Sequence, residues 1–211
     1  MKGAIFDVDG TILNSMGAWF DATDRFFQER DIHMSPEEIN VFKEMPLEES
    51  IPKIRNDNNL DMTVEEIFAW FLKYVGREYE FTIPAKPGVC EYIKRLHDDG
   101  VKIAIATSGY RDMCETSFKR LGIWQYIDAC AFSSEVGVNK SNPDVYLLAA
   151  ERIGVAPADC MVFEDIVTGI GGAKKGGFKT CAVADESNES QRGELKEIAD
   201  MFIEDFTEMI Y

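Results

Sequence analysis

Short, unbroken apolar runs recur along this chain with room for one helix between most of them, and that rhythm restricts the fold more than any single residue does. The first is residues 3–6 (GAIF), followed by 101–106 (VKIAIA), 128–132 (DACAF), 160–163 (CMVF) and 178–184 (FKTCAVA), with 201–203 (MFI) a weaker last candidate. Continuous rather than alternating apolar character is expected of strands covered on both faces. Between the later runs, residues 88–99, 112–121 and 144–153 have helical spacing. Val89, Tyr92, Ile93 and Leu96 form the first stripe, Met113, Ser117 and Leu121 the second, and Val145, Leu148, Ala149 and Ile153 the third. Gly100, Gly122 and Gly154 stop these helices, and Pro143 precedes the last. Strands alternating with helices at roughly 30-residue spacing are βαβ units, which predict an α/β fold with a doubly wound, Rossmann-like parallel sheet.

One interval breaks the rhythm. The stretch between residues 6 and 101 is too long for a single crossover and reads as helices over 18–28, 36–43, 47–55 and 64–78, with turn signals at Ser35-Pro36, Met45-Pro46 and Asn56-Asp57-Asn58-Asn59. We therefore expect a sheet domain of residues 1–14 and 84–211 and an inserted helical domain of residues 15–83. The insert leaves near Leu13-Asn14-Ser15 and returns through Thr82-Ile83-Pro84-Ala85-Lys86-Pro87. A proline-bearing connector is semi-rigid, and two connectors on one side of a module form a hinge, so the insert is expected to act as a lid.

Composition narrows the partners. The formal net charge is -16, from 38 Asp plus Glu against 22 Lys plus Arg, which disfavours nucleic acid because backbone phosphates need clustered cations. An anionic small substrate is expected to need local positive charge from a lysine, a metal or backbone N–H groups. Five cysteines, Cys90, Cys114, Cys130, Cys160 and Cys181, contain no Cys-x-x-Cys pair and read as buried thiols of a reducing compartment. His33 and His97 lie far apart among charged or turn residues, which supports neither a zinc site nor a Ser-His relay. No apolar run approaches the roughly 20 residues of a membrane span, and the first strand leaves no space for a secretory signal. A cytoplasmic protein, monomeric by default, is the expectation.

Strand exits carry the chemistry, because ligands of open α/β sheets bind beyond the carboxyl ends of the strands. The first run leads into Asp7-Val8-Asp9-Gly10-Thr11, with both carboxylates on one side of an extended backbone. The second leads into Thr107-Ser108-Gly109, small hydroxyls and a flexible backbone able to donate to an oxyanion. Beyond the third lies Lys140, and the fourth ends in Glu164-Asp165, adjacent carboxylates whose repulsion calls for a cation or protons. A doubly wound sheet would bring these residues to one crevice. Three or four carboxylates can hold Mg²⁺, a lysine and hydroxyls can hold phosphoryl oxygens, and one aspartate remains to attack.

In this order and after these strands, Asp7-x-Asp9-x-Thr11, Thr107, Lys140 and Glu164-Asp165 resemble the four motifs of the haloacid dehalogenase superfamily of phosphatases and phosphomutases. The helical insertion after the first motif resembles the cap of its β-phosphoglucomutase-like branch. The resemblance covers essentially the whole chain. It implies Asp7 as the nucleophile that forms an aspartyl-phosphate and Asp9 as general acid and then base. It further implies that Thr107 and Lys140 hold the transferring phosphoryl group, and that Asp7, the backbone carbonyl of Asp9, and Asp165 bind Mg²⁺ with Glu164 in or beside that set.

Two cap positions separate the activities within that branch. Where its mutases carry a histidine in the first cap helix and an arginine in the next segment, this chain has Trp19 and, within 43–49, about Leu47 with acidic neighbours. A mutase needs a cationic clamp for a second phosphate. A face of Met16, Trp19 and Phe20 suits an uncharged or partly apolar leaving group instead, although the same residues can be core of the cap. Lys73 and Arg77 are further possible contacts or a solvated face. The expected function is a Mg²⁺-dependent phosphatase of a small phosphorylated metabolite, with Ser108, Gly109 and Trp19 among its substrate contacts. A sugar-phosphate mutase is the alternative. A non-hydrolytic receiver-type module is a third reading, which the long insert disfavours.

Overall fold

In the computed structural model, residues 1–45 and 47–210 are described, without the side chains of Pro36, Asn40, Lys43 and Glu44; the turn expected at Met45-Pro46 therefore lies, at Pro46, outside the described residues. The chain divides into a sheet unit, Met1–Ser15 with the segment from Ile83 onward, and a helical unit, Met16–Thr82. No helix of the described residues is long and apolar enough to cross a membrane.

The sheet unit contains strands β1 (Gly3–Phe6), β2 (Lys102–Thr107), β3 (Ala129–Phe132), β4 (Cys160–Glu164), β5 (Lys179–Val183) and β6 (Met201–Ile203). All pair in parallel, in the order β3-β2-β1-β4-β5-β6. Phe6 lies opposite Ile105 on one side and Phe163 on the other. Strand order reverses at β1, so the exits of β1 and β4 flank the switch point at which such sheets open a crevice.

In chain order the helices are α1 (Met16–Glu29), α2 (Pro36–Glu44), α3 (Leu47–Asp57), α4 (Val64–Phe81), α5 (Val89–Asp98), α6 (Arg111–Arg120), α7 (Ser133–Val136), α8 (Asp144–Ile153), α9 (Val167–Lys175) and α10 (Arg192–Ile198). Inward residues of the strands alternate between two cores. On one face Ile5, Ala104, Ala106, Ala131 and Val162 meet Val145, Tyr146, Ala149 and Ile153 of α8 and Ala173 of α9. On the other, Phe6, Tyr92, Phe163 and Phe206 form an aromatic cluster in which Phe6 and Phe163 stack at 4.5 Å between ring centres. Such a pair adds about 0.5–1.5 kcal/mol beyond the area it buries.

The structure corrects two stripes. In α6 the buried residues are Cys114, Ser117 and Phe118, and Met113 and Leu121 are only partly buried. The helix starts a residue earlier than expected, and its largest apolar side chain, Phe118, takes the inward position. In α8, Tyr146 and Ala150 are buried while Leu148 is partly so, because the helix lies broadly against the strands. Helices α7, α9 and α10 were not expected. Gly169, Gly171 and Gly172 make the α9 segment read as loop, since glycine weakens a helix by about 1 kcal/mol per residue.

Within the helical unit, α2 and α4 begin in capping boxes, Ser35 with Glu38 and Thr63 with Glu66. The Glu66 N–H donates to Thr63 Oγ1 at 3.1 Å and the Thr63 N–H to Glu66 Oε2 at 2.8 Å, an arrangement worth about 1 kcal/mol. Phe26, Ile51, Ile67, Phe71 and Val75 are buried, and Phe26 stacks on Phe71 at 5.1 Å.

Candidate active site

Asp7 follows directly from β1, and its backbone N–H donates to the carbonyl of Phe163 at 3.0 Å, which prolongs the pairing of β1 with β4 by one residue. The chain then curls: the N–H groups of Ile12 and Leu13 donate to the carbonyl of Val8 at 2.9 and 2.8 Å. Gly10 takes φ +90° in this curl, and a Cβ there would fall on the carboxylate of Asp165. Glycine alone permits both the backbone conformation and that approach. Thr11 closes the contact, its hydroxyl donating to Asp165 Oδ1 at 3.2 Å.

Lys140 comes from the loop before α8 and is buried. Its ammonium donates to Asp7 Oδ1 and, at 2.5 Å, to Glu164 Oε1. Tyr146 donates to the same Glu164 oxygen at 2.7 Å. Helix α9 backs this loop so closely that a Cβ on Gly172 would overlap the Lys140 carbonyl oxygen. Carboxylate oxygens of Asp7, Glu164 and Asp165 all lie within 4.8 Å of one another.

Of the three buried carboxylates, those of Asp7 and Glu164 bond the one ammonium. Desolvation and the nearby charges of Asp7 and Glu164 push the Asp165 carboxyl well above its usual range. For Glu164, burial raises the carboxyl and the Asp7 charge adds to it, outweighing the attraction of Lys140. At Lys140, burial favours the neutral amine, but Asp7 and Glu164 overcome it and hold the proton more tightly than in water. Glu164 Oε2 is buried without a hydrogen-bond partner among the described residues. An unpaired buried carboxylate oxygen is costly, so this donor set fits a hard divalent cation bound by oxygen ligands.

Asp9 stands apart from the three-carboxylate group. It is half-buried, and Ser15 donates to its Oδ1 at 2.6 Å. At the β2 exit Thr107 is buried and its Oγ1 accepts the Gly109 N–H at 2.9 Å. A Cβ on Gly109 would lie 3.1 Å from Asp9 Oδ2 and 3.2 Å from Thr107 Oγ1, so those two side chains point at the same small space. Ser108 is exposed and shares a hydrogen bond with Ser133 at 3.0 Å. Trp19 belongs to the helical unit, where its indole N–H donates to Tyr79 Oη at 3.1 Å and the two rings meet edge to face. Lys73 and Arg77 are exposed on α4.

Sequence reasoning missed Ser15, Tyr146, Asn188 and Gln191. Asn188 donates to Asp165 Oδ2 at 2.6 Å from the segment after β5. Counting a fifth strand exit by the same rule as the other four would have found it. Tyr146 sits on the apolar face of α8 and carries no sequence signal that distinguishes it from core.

A parallel sheet that gathers an acidic cluster, a buried lysine and a threonine at its carboxyl edge defines a phosphohydrolase-type α/β enzyme. The family model for haloacid dehalogenase-like hydrolases matches residues 4–183, and the chain belongs to that family. The phosphorylated carbohydrates phosphatase of Thermotoga maritima is 26% identical over 179 residues, covering 85% of this chain and 83% of its own. The β-phosphoglucomutase of Bacillus subtilis is 27% identical over 185 residues, covering 84% and 81%. In fold, the chain superimposes on CbbY from Rhodobacter sphaeroides in complex with phosphate with a TM-score of 0.84, at 21% identity and with 99% of this chain and 96% of that one covered.

Proposed function

We propose that this enzyme is a Mg²⁺-dependent phosphatase of small phosphorylated metabolites. The observation that carries the reading is the buried group of Asp7, Glu164 and Asp165, the first two bonded to Lys140, with one Glu164 oxygen unpaired. Mg²⁺ bound by Asp7, Glu164 and Asp165 would neutralise charge on the phosphoryl oxygens, so that an anionic nucleophile can approach them. Asp7 attacks phosphorus with a carboxylate oxygen, and the bond to the leaving oxygen breaks. Asp9 protonates that oxygen, then takes a proton from the water that attacks the aspartyl-phosphate and releases inorganic phosphate. Lys140 and Thr107 hold the phosphoryl oxygens, and Gly109, with no side chain, keeps the space between Thr107 and Asp9 open.

Hydrolysis is favoured over mutase chemistry by Trp19, whose indole N–H is engaged by Tyr79, and by Leu47, where a mutase of this branch would offer a cation. The kinship with a phosphorylated carbohydrates phosphatase supports the same choice, and that with a β-phosphoglucomutase keeps the transfer reaction as the competing outcome. The test is phosphate release from a panel of sugar, nucleotide and polyol phosphates with Mg²⁺, beside incubation of β-glucose 1-phosphate with a bisphosphate activator. Inorganic phosphate from the panel is expected. Glucose 6-phosphate formed without free phosphate would establish the mutase instead.

A further inference from the structure

Segment Glu186–Gln191, after β5, reaches two points of the acidic cluster's surroundings through side-chain amides. Gln191 Oε1 accepts the backbone N–H of Val167 at 2.9 Å, at the start of α9, where Ile166 offers no side-chain cap. Because a backbone N–H can only donate, that bond fixes which way round the Gln191 amide lies. Gln191 Nε2 must then face Asn188, and it donates to Asn188 Oδ1 at 3.3 Å. This fixes the Asn188 amide in turn, so that its nitrogen, not its oxygen, meets Asp165 Oδ2 at 2.6 Å. Thr11 donates to the other oxygen, Oδ1, at 3.2 Å.

Each Asp165 oxygen therefore accepts one donor from an opposite side. The plane of the carboxylate is fixed, while an ionised carboxylate retains further lone pairs for another partner. The segment itself is anchored. Asp185 accepts the Ser187 N–H at 2.9 Å and pairs with Lys86 at 2.6 Å, with the side chains 3% and 10% exposed respectively.

We infer that Asn188, oriented by Gln191, is a positioning residue that sets the Asp165 carboxylate for a divalent cation. The inference rests on the reading of Asp165 as one of the cation-holding acids. Residues that orient metal ligands without touching the metal are worth about 10- to 100-fold in affinity.

The test is calorimetric titration of the metal-free protein with Mg²⁺, with Mn²⁺ binding followed by electron paramagnetic resonance as a second readout. Wild type is compared with Asn188→Ala, Gln191→Glu and Asp165→Asn, with circular dichroism and thermal unfolding as checks of fold. Gln191→Glu preserves the acceptor for Val167 and removes the donor to Asn188. Asn188→Ala is expected to weaken binding about 10- to 100-fold and Gln191→Glu several-fold, both with native secondary structure. Wild-type affinity in Asn188→Ala, while Asp165→Asn has lost binding, overturns the positioning role alone. If Asn188→Ala fails to fold, unchanged affinity in Gln191→Glu overturns it. A wild-type protein that binds no cation, or Asp165→Asn binding as wild type, overturns the cation reading of Asp165 and this role with it.

Discussion

The ammonium of Lys140 and the carboxylate of Glu164 meet at 2.5 Å with their side chains 7% and 0% exposed, an ion pair out of reach of bulk water. Removing one member of such a pair strands the other, at a cost of about 3–5 kcal/mol. Lys140→Met is accordingly expected to lower the unfolding free energy in urea by about that amount. The double variant Lys140→Met/Glu164→Gln should lose less than the sum of its single changes, by about 1–3 kcal/mol. Strict additivity would mean that the pair is not the unit that matters.

Helix α9 offers a paired test of packing. A Cβ on Gly172 overlaps the Lys140 carbonyl, whereas a Cβ on Gly171 meets nothing within 4 Å. Gly172→Ala should destabilise by about 1–3 kcal/mol, because the helix or the lysine loop must move. Gly171→Ala should stabilise by up to about 1 kcal/mol through helix propensity and a less disordered unfolded chain. Chemical denaturation midpoints shifting in the same direction for both would refute the close approach.

Asp7→Asn preserves shape while removing the carboxylate that the proposed reaction assigns as nucleophile. Turnover of p-nitrophenyl phosphate is expected to fall more than about a thousandfold with the thermal midpoint near that of wild type. Asp9→Asn should slow both leaving-group protonation and attack by water. Retained turnover in Asp7→Asn would remove Asp7 from the chemistry.

Away from the site, Arg152 grips Glu135 at 3.0 and 2.7 Å. That hydrogen bonding, aided by the Phe132 N–H and opposed by burial, lowers the Glu135 carboxyl from 4.5 to about 2. A carboxyl depressed in the folded state stabilises above its unfolded value, and that contribution fades as pH falls from 4.5 toward about 2. The pair is exposed to solvent, so the gain is below about 1 kcal/mol. Glu135→Gln should be slightly less stable than wild type at pH 7, and urea midpoints should converge across that acid window.

All five thiols are shifted away from reactivity. Burial raises Cys130 and Cys160 to about 11 and Cys181 to about 12, and it also raises Cys90 and Cys114. Because the thiolate is the reacting species, a disulfide reagent at pH 8 should label the native protein far more slowly than a free thiol, and all five sites in guanidinium. Cys114, Cys160 and Cys181 are buried whereas Cys90 and Cys130 are only half-buried, which corrects the expectation of five buried thiols; rapid native labelling of one of the buried three would locate an opening the folded chain does not display.

The strands were legible because a central parallel strand advertises itself by continuous apolar character, and β1 to β6 fall within a residue or so of the runs. The proximity of Asp7, Lys140, Glu164 and Asp165 followed from topology, since Asp7 follows β1, Glu164 ends β4 with Asp165 next, and the connection from β3 to α8 brings Lys140 to the same edge. Helix α9 was hidden because it carries three glycines, two of which, Gly169 and Gly172, serve close approach rather than helix propensity. Asn188 and Gln191 were hidden for a different reason. An amide acquires a role only through what faces it, and nothing in the one-dimensional chain shows that Gln191 caps a helix beginning at Val167, far back in the sequence.

Leu13 pairs antiparallel with Ala85, and Asn14 donates to the carbonyl of Pro84 at 3.0 Å, so the two ends of the helical insert are stitched together inside the sheet unit. To that unit, the whole of Met16–Thr82 is topologically the tip of a hairpin. Closure entropy grows only slowly with loop length, by about 0.6 kcal/mol per doubling, so the sheet tolerates inserts of very different size at this one seam. The insert can thereby be exchanged for another without re-registering the strand that leads into Asp7.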